Sequence, residues 1–541
     1  MKKRFAPLLG VLLLTVVFAS TGLAATIDAL PAWPDDALYA VGSIEETKDF
    51  ISALIDSRPF GLAAAIEPDF EMVAELLRSF PLEAASFAFG LTDEGFSLHG
   101  ALKFDESKGD LLKKLADGEG EEGDIDALLN LPFPSDLTLA PFEGGTYAAM
   151  ADGMALVLLT VDGEMLLMGM SPEDLESAKG ALADSGKRIK LPRRLPHKNF
   201  FYFHDNGMAA AEIAEESDGL LGEPVENLML EIGYGTIPNG FGLSLLTNFA
   251  RVFGIIEPEK APAPIGKDDL VKLGGGHAWL AWAARGLIDQ KHFEMVRQAA
   301  EEGDSESEII LEVLEQLKTM GLTEEALLSI LKSMGVILGG EAAFSGIPVP
   351  GGYAYVSGEK EAVELLLPLI EVVVSESGLE FESVEKPGWQ ALYVLKEPVD
   401  AVLGIRDGAA VAGLLTLDSL EDEPELGPDA AKLLEEGNSM LFHFDMGVVR
   451  RMLTKLLDPD LPIAAIFLLE EDDFLDSAPA LFEGLKATAG FKGIQMTFRD
   501  FERLDLLALL GDPDEAEIKG IEELASKWQP YIEEREEMYD E

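Results

Sequence analysis

The chain has 541 residues, 99 of them acidic and 41 basic, and its formal net charge is −58. A surface this negative repels phosphate backbones and anionic lipid headgroups, which argues against nucleic-acid binding and polybasic membrane docking. The lack of cysteine excludes disulfides and thiolate metal sites, so stability must come from packing. The acidity indicates either a solvated surface or one that recruits cations or basic partners. Because the acids are spread along the whole chain, we favour the solvated surface and allow weak cation association.

Residues 1–24 have the pattern of a bacterial secretory signal peptide. Three basic residues precede an apolar run at residues 5–19, and Gly22 and Ala24 suit a signal-peptidase site. We therefore expect cleavage near Ala24 and a mature protein in the periplasm or outside the cell. The alternative is an uncleaved membrane anchor. Later apolar runs, such as residues 154–161, are too short to cross a bilayer, so no transmembrane segment is expected after the signal.

Residues 30–54, LPAWPDDALYAVGSIEETKDFISAL, predict a strand that carries Tyr39, followed by a helix. This opening resembles that of exported bacterial proteins of unknown function, in which a proline and an acidic residue precede such a strand. The resemblance covers about one strand and one helix in each half of the chain. It implies export and no particular activity. The corresponding stretch of the second half, HAWLAWAARGL, lacks the proline and the acid.

The following segments predict antiparallel hairpins and a capped helix. Residues 85–104 alternate apolar and polar positions on either side of a TDEG turn, and residues 145–170 contain two Asp-Gly turns, at 152–153 and 162–163. These turns predict a hairpin and a three-stranded meander. A helix then begins with Ser171 as N-cap, Pro172 in its first turn and Asp174 three residues after the cap.

An internal repeat emerges when two similar stretches are compared, KNFFYFHDNGM at residues 198–208 and the later MLFHFDMGVV. Matching Asp205 to Asp445 places His204 on Phe444, and puts His443 on Phe203. Successive strand side chains alternate faces, so the two histidines point to opposite faces. We therefore predict that the histidines are structural and that both aspartates are helix N-caps. Two further pairs of stretches lie at similar separations. One matches Tyr39 to Trp282, Lys48 to Lys291 and Phe50 to Phe293, and the other matches Phe241 to Phe491, Phe249 to Phe501 and Arg251 to Arg503.

These matches predict two related tandem halves of α+β class, each built of antiparallel hairpins and meanders with helices packed on one face. The predicted organisation is a signal peptide at 1–24, a first half at 25–254, a proline-rich linker at 255–273, a second half at 274–510 and an acidic helical tail at 511–541. The tail is expected to break near Pro530 and to dock through apolar residues at helical spacing, namely Ile518, Ile521, Leu524 and Trp528.

Patterns typical of catalytic and metal sites are weak. The six histidines show no zinc-helix spacing; they are His99, His197, His204, His277, His292 and His443. Ser329 with Lys332, and Ser357 with Lys360, satisfy S-x-x-K, but the companion motifs are missing, so we attribute both to chance. Residues 512–523 match an EF-hand loop only in part, with Ala516 and Glu517 at its fifth and sixth positions, and are interpreted as a helix start.

We therefore expect no catalytic residue, no metal site and no cofactor. The favoured interpretation is a non-enzymatic cell-envelope protein of binding or structural type, with an unidentified envelope partner or a small apolar or peptide ligand. The alternative is an exported hydrolase with a carboxylate-based site that has no recognisable motif. Two buried carboxylates converging in one cleft would favour the hydrolase.

Overall fold

The computed structural model describes residues 26–33, 38–44, 52, 53, 55, 78, 81–92, 95–121, 123–129, 137–143, 146–151, 154–195, 197–205, 228–237, 240–248, 265, 278–301, 303–344, 347–416, 439–461, 472–499, 502–511 and 515–540. These residues form antiparallel sheets and helices, which confirms the predicted α+β class. The chain divides into two units, Met1–Pro258 and Glu259–Glu541. The predicted signal peptide at 1–24, and all of the predicted linker except Ile265, lie outside the described residues.

Antiparallel hairpins dominate the first unit. Its described strands are β1 (Leu38–Ile44), β2 (Leu82–Thr92), β3 (Gly95–Phe104), β4 (Leu137–Pro141), β5 (Thr146–Ala151), β6 (Met154–Asp162), β7 (Met165–Gly169), β8 (Asn199–Asp205), β9 (Leu228–Ile237) and β10 (Gly240–Thr247). They pair in the order β4-β5-β6-β7-β3-β2-β1-β8-β9-β10. The predicted β2–β3 hairpin and β5–β7 meander are confirmed, and Gly163, with φ of 60°, makes the turn between β6 and β7.

Helices cover both faces of the first unit's sheet, so the prediction of helices on one face is wrong here. Its described helices are α1 (Gly109–Ala116), α2 (Asp124–Leu129) and α3 (Pro172–Ala183). Leu159 of β6 belongs to the same buried cluster as Leu112 of α1, whereas its neighbour Leu158 clusters with Leu175 of α3. Consecutive strand residues point to opposite faces. An apolar run such as residues 154–161 therefore needs cover on both sides.

The second unit has strands β11 (Leu280–Arg285), β12 (Ser333–Phe344), β13 (Ile347–Ser357), β14 (Glu382–Ser383), β15 (Trp389–Leu395), β16 (Ala401–Arg406), β17 (Ala409–Leu414), β18 (Met440–Asp445), β19 (Phe491–Arg499) and β20 (Arg503–Leu510). They pair antiparallel in the order β14-β15-β16-β17-β13-β12-β11-β18-β19-β20. Its helices are α4 (Gln290–Glu301), α5 (Ser305–Thr319), α6 (Glu324–Ile330), α7 (Lys360–Glu364), α8 (Leu367–Glu376), α9 (Met446–Leu456), α10 (Asp472–Ala487) and α11 (Glu515–Asp540).

Two buried clusters lie on the sheet of the second unit. One joins the helices to the strands, with Ile330 of α6, Val363 of α7 and Ile370 of α8 against Ile405 of β16. The other is formed mainly by strand side chains and includes Ile265 from the predicted linker. Neighbouring residues of β17 divide between the two clusters, because strand side chains alternate between faces.

The acidic tail forms α11 and packs onto the second unit, as predicted. Ile521, Leu524 and Trp528 form a buried cluster with α10 residues, among them Phe482, whereas the fourth predicted residue, Ile518, is only partly buried and lies outside this cluster. The predicted break near Pro530 is wrong, because α11 continues through it. A proline inside a helix costs about 3 kcal/mol. Apolar contacts on both sides of it, at Trp528 and Ile532, offset that cost. None of the helices in the described part of the chain combines the length and apolar composition needed to cross a membrane.

Candidate functional site

The His204–Asp205 pair at the end of β8 does not form a dyad. His204 lies opposite Tyr39 of β1 and Met229 of β9, and its ring centroid is 5.2 Å from that of Tyr39. Asp205 is the last residue of β8 and is fully buried. Since adjacent strand residues face opposite ways, the imidazole and carboxylate are directed apart. The helix that Asp205 is predicted to cap lies outside the described residues.

The predicted N-cap at Asp445 is confirmed. Its carboxylate Oδ1 accepts a hydrogen bond from the Val448 amide at 3.0 Å, at the start of α9. His443, two residues earlier, is buried and has its Nδ1 3.4 Å from Nε2 of Gln495 on β19. This pair is therefore architectural: the aspartate begins a helix, and the histidine completes a contact between two strands.

The remaining described histidines also have local partners. Nε2 of His197 lies 2.7 Å from the Ser244 hydroxyl, and Nδ1 of His292 lies 2.8 Å from Oδ1 of Asp289. His277 lies outside the described residues. Within the part of the chain that the structure describes, no group of three or more His, Asp or Glu side chains is placed to hold a metal ion.

The residues of the two S-x-x-K patterns lie at the ends of elements of the second unit. The Lys332 ammonium is bound to the Glu359 carboxylate at 2.5 Å. Lys360 is the first residue of α7, while Ser357 is the last residue of β13 and belongs to its ladders with β12 and β17. The attribution of both patterns to chance stays a prediction.

A serine–histidine–aspartate cluster, not foreseen from the sequence, joins β3 to the start of α3. Ser97 and His99 lie two residues apart on β3, so they share a face. The Ser97 hydroxyl donates to Oδ1 of Asp174 at 2.5 Å and lies 3.2 Å from Nε2 of His99. Nδ1 of His99 is 3.2 Å from the backbone carbonyl of Asp174, and the Trp33 ring meets the imidazole edge-on with centroids 5.5 Å apart.

The arrangement of this cluster differs from that of a hydrolase triad. In a triad the carboxylate holds Nδ1 of the histidine, and Nε2 takes the proton of the serine. Here Nδ1 faces a carbonyl, and the serine proton goes to the carboxylate. The other carboxylate oxygen of Asp174 accepts from the amides of Met170 at 2.9 Å and Ser171 at 3.1 Å. Burial lowers the pKa of His99, so the imidazole stays neutral. The cluster therefore anchors α3 to the sheet.

The Asp174 side chain also completes the predicted helix start. The Ser171 hydroxyl accepts from the Asp174 amide at 3.1 Å, and Asp174 in turn accepts from the Ser171 amide, which forms a capping box. Pro172 occupies the first turn as expected. The sequence contained the capping signal, whereas the contact with β3 is tertiary and leaves no local pattern.

An exposed apolar surface lies on α5 of the second unit and on Met320, the residue that caps its C-terminal end. We call it the α5 stripe and define it by Ile309, Ile310, Val313 and Met320, which are 62%, 46%, 48% and 41% exposed. Ile309, Val313 and Met320 are spaced by four and seven residues and so lie on one side of the helix. The opposite side contains buried Ser307. Single exposed apolar residues are common, but a contiguous set is typical of an interaction site.

A row of acidic residues borders the α5 stripe. Glu308, Glu312 and Glu315 are spaced by four and three residues and are all exposed. Glu312 lies three residues after Ile309 and so next to the stripe, while Glu308 and Glu315 lie next to Glu312, further round the helix on the same flank. Lys318 pairs with Glu315 at 3.0 Å. Among the described residues, Glu308 and Glu312 form no ion pair.

Comparisons with known proteins give little further information. No protein-family model matches the sequence, and no match is found among curated proteins. Solved structures of TP0453 match part of the chain: crystal form III at 10% identity, over 41% of this chain and 79% of that one, with a TM-score of 0.21. Crystal form IV matches at 12% identity over 41% of this chain and 80% of that one, with a TM-score of 0.21. Crystal form I matches at 12% identity over 42% of this chain and 80% of that one, with a TM-score of 0.20. Such TM-scores support no inference about this chain.

Proposed function

We propose that this chain is an exported cell-envelope protein of binding type, built of two tandem modules, which engages its partner through the α5 stripe. The observation that carries the proposal is the exposure of three large apolar side chains on one helix, and of a fourth at the residue that caps its end, in a chain with a net charge of −58. Solvation explains the acidic surface but not the α5 stripe, because exposing apolar area to water is unfavourable. A partner that covers the stripe removes that area from water.

The tandem-module part of the proposal is supported by strand order. In each unit the central strand, β1 or β11, lies between the second and the eighth strand of that unit. The remaining strands follow in corresponding order, and a helical segment separates the third from the fourth strand in both units, namely α1 and α2 in the first and α7 and α8 in the second. We propose the boundaries 25–254 and 274–510 for the two modules, joined by the linker at 255–273.

Strand register refines the proposed alignment of the modules. Tyr39 lies opposite His204 on β8, and Leu280 lies opposite Phe444 on β18. If Asp205 corresponds to Asp445, then Tyr39 corresponds to Leu280 and not to Trp282. The sequence alignment was therefore displaced by two residues at this strand, which preserves the face of each side chain. In this alignment the two histidines still occupy different positions.

Export is proposed from the sequence alone, on the charged, apolar and small-residue pattern of residues 1–24. We do not propose the hydrolase alternative, because buried carboxylates in the described residues have structural partners. Glu231 pairs with Arg193 at 3.1 Å, and Glu517 pairs with Arg450 at 2.8 Å. Asp174 accepts from backbone amides, as described above.

Photo-crosslinking tests the proposed role of the α5 stripe. A photoreactive amino acid replaces Val313 in the full chain, and in a control it replaces Val373 of α8, which is also 48% exposed. Illumination in an extract of the native cell envelope should give an adduct of discrete mass from position 313 and none from position 373. Equal labelling at the two positions, or no adduct at position 313, would contradict the proposal.

A further inference from the structure

The geometry of the α5 stripe and of its acidic border points to one class of partner. We infer that the occupant is a cationic amphipathic helix of another protein, with an apolar stripe of its own flanked by lysine or arginine. This inference rests on the proposed function, because it names the partner of the same surface. It is carried by the charges beside the stripe and by the dimensions of the stripe.

The charges beside the stripe are negative and partly uncompensated. Glu308 and Glu312 are exposed and form no ion pair among the described residues, while Glu315 already holds Lys318. On the neighbouring helices, Arg297 of α4 is bound to Glu324 of α6. These two cations are thus already paired, and the carboxylates of Glu312, next to the stripe, and of Glu308, beyond it on the same flank, are open to a cation from outside. A partner with lysine or arginine at that flank gains attraction as the apolar residues are buried.

The same charges disfavour the other occupants that an apolar helix face could have. A second copy of this chain would bring the same row of glutamates and the same net charge of −58. An anionic membrane would repel both the row of glutamates and the net negative charge of the chain. A cationic protein segment is the occupant whose charge complements the surface.

The dimensions of the stripe fit a helix. From Ile309 to Met320 the axial rise is about 16 Å, or three helical turns. The α5 backbone hydrogen bonds are satisfied within the helix, so α5 has no free strand edge to which a partner could add a strand. Helices pack side by side through rows of residues at this spacing. The partner segment should therefore have apolar residues three or four apart over at least three turns.

Two synthetic peptides test the inference against the full mature chain. Both are helical and share one apolar stripe, and they differ only in having lysines or glutamates along the flank. Binding is measured by fluorescence anisotropy at low and at high salt. We expect the lysine peptide to bind at least about tenfold more tightly than the glutamate peptide, a preference that high salt should reduce.

Substitutions locate the binding and separate the two proposals. V313D should weaken binding of the lysine peptide about tenfold or more, whereas V373D should leave that binding unchanged. E308Q with E312Q should remove most of the preference for the lysine peptide, and the matched change on α8, E371Q with E376Q, should preserve it. Far-ultraviolet circular dichroism and urea unfolding establish that each variant is folded.

Each result supports or overturns a specific statement. If the two peptides bind the wild type equally and V313D abolishes the binding of both, the α5 stripe is upheld as a binding surface and the inference of a cationic partner is overturned. No effect of V313D on either peptide would contradict the proposed function itself. Self-association in sedimentation, or binding to phosphatidylcholine–phosphatidylglycerol vesicles, that V313D abolishes would overturn the inference in favour of a second copy or a lipid surface.

Discussion

At the scale of single residues, buried polar side chains in this protein are tolerated where backbone groups complete their hydrogen bonds. Asp174 accepts from the amides of Met170 and Ser171, and Glu231 accepts from the amides of Arg194 and Leu195. A carboxylate removed from water without such donors would be strongly destabilising. These backbone donors account for the burial of both carboxylates.

The Asp445 cap leads to a prediction about stability. Asp445→Ala should lower the free energy of unfolding by about 0.5 to 2 kcal/mol, because the Val448 amide loses its acceptor and the helix end loses a favourable charge. Asp445→Asn should retain most of the stability. Urea denaturation of the two variants and the wild type measures the difference, and an alanine variant as stable as the asparagine variant would argue against capping. From sequence we predict the same loss of stability for Asp205→Ala, whereas His204→Ala should leave the function of the protein largely intact.

The buried imidazole of His99 predicts a pH dependence. Burial lowers its pKa in the folded protein, despite the neighbouring Asp174, below the value of about 6.5 in an unfolded chain. The unfolded state therefore binds more protons as the pH falls below about 6.5, and stability decreases. His99→Gln should remove this contribution. The test compares the urea midpoints of both proteins at about pH 7.5 and pH 5. Equal losses in the two proteins would refute the prediction.

At the scale of elements, α11 is attached to the second unit by one buried ion pair and one buried indole. Arg450 of α9 is fully buried, donates to the carbonyl oxygens of Thr488 and Phe491 at 2.7 Å each, and pairs with Glu517 of α11. The Trp528 indole nitrogen donates to the Leu457 carbonyl at 2.7 Å. The acidic tail is consequently an integral layer of the unit.

Removing one partner of the buried pair should be far more harmful than breaking an exposed one. Glu517→Ala leaves the Arg450 guanidinium buried without a counter-charge, at a cost of about 3 to 5 kcal/mol. On the same helix, Lys527 pairs with Asp458 at 2.8 Å in a partly exposed position. Lys527→Ala should cost far less, because water screens an exposed ion pair. Similar losses in urea unfolding of the two variants would show that burial does not set the strength of the α11 attachment.

The elements that the sequence predicted correctly depend on residues close together in the chain. The Asp445 cap, the turn at Gly163 and the start of α3 each use signals within three or four residues. The contact of Ser97 with Asp174 spans 77 positions and leaves no such signal. The break expected at Pro530 was wrong because local propensity was outweighed by packing at Trp528. The sequence did not predict helices on both faces of the first unit's sheet. Which segments cover Leu158 and Leu159 is decided by tertiary contacts and not by local sequence.

At the scale of the whole molecule, the net charge of −58 opposes compaction. Salt screens this repulsion, so the midpoint of thermal unfolding should rise as sodium chloride increases from about 0.01 M to about 0.5 M. An uncharged osmolyte at equal osmolality is the control for general solvent effects. A midpoint that is unchanged by salt would indicate that the negative charges are already compensated within the fold.

The proposed export predicts the amino terminus of the mature protein. When the chain is expressed in a bacterial host, mass spectrometry of the purified product should find it beginning near Ala25, after removal of residues 1–24. The same analysis with Ala24→Leu, which blocks the small-residue site, should find the precursor. A wild-type product that retains Met1 and sediments with membranes would instead support the uncleaved anchor.

The buried pair of Arg450 and Glu517 also sets the order of events during synthesis. The two residues are 67 positions apart, and α9 is made well before α11. Until Glu517 has emerged, the Arg450 guanidinium has no carboxylate with which to enter the interior, so burying it is unfavourable. We therefore expect the final layer of the second unit to close only after Glu517 has been made. Polypeptides interrupted before Glu515 would remain open at this layer and accessible to proteases that remove incomplete products.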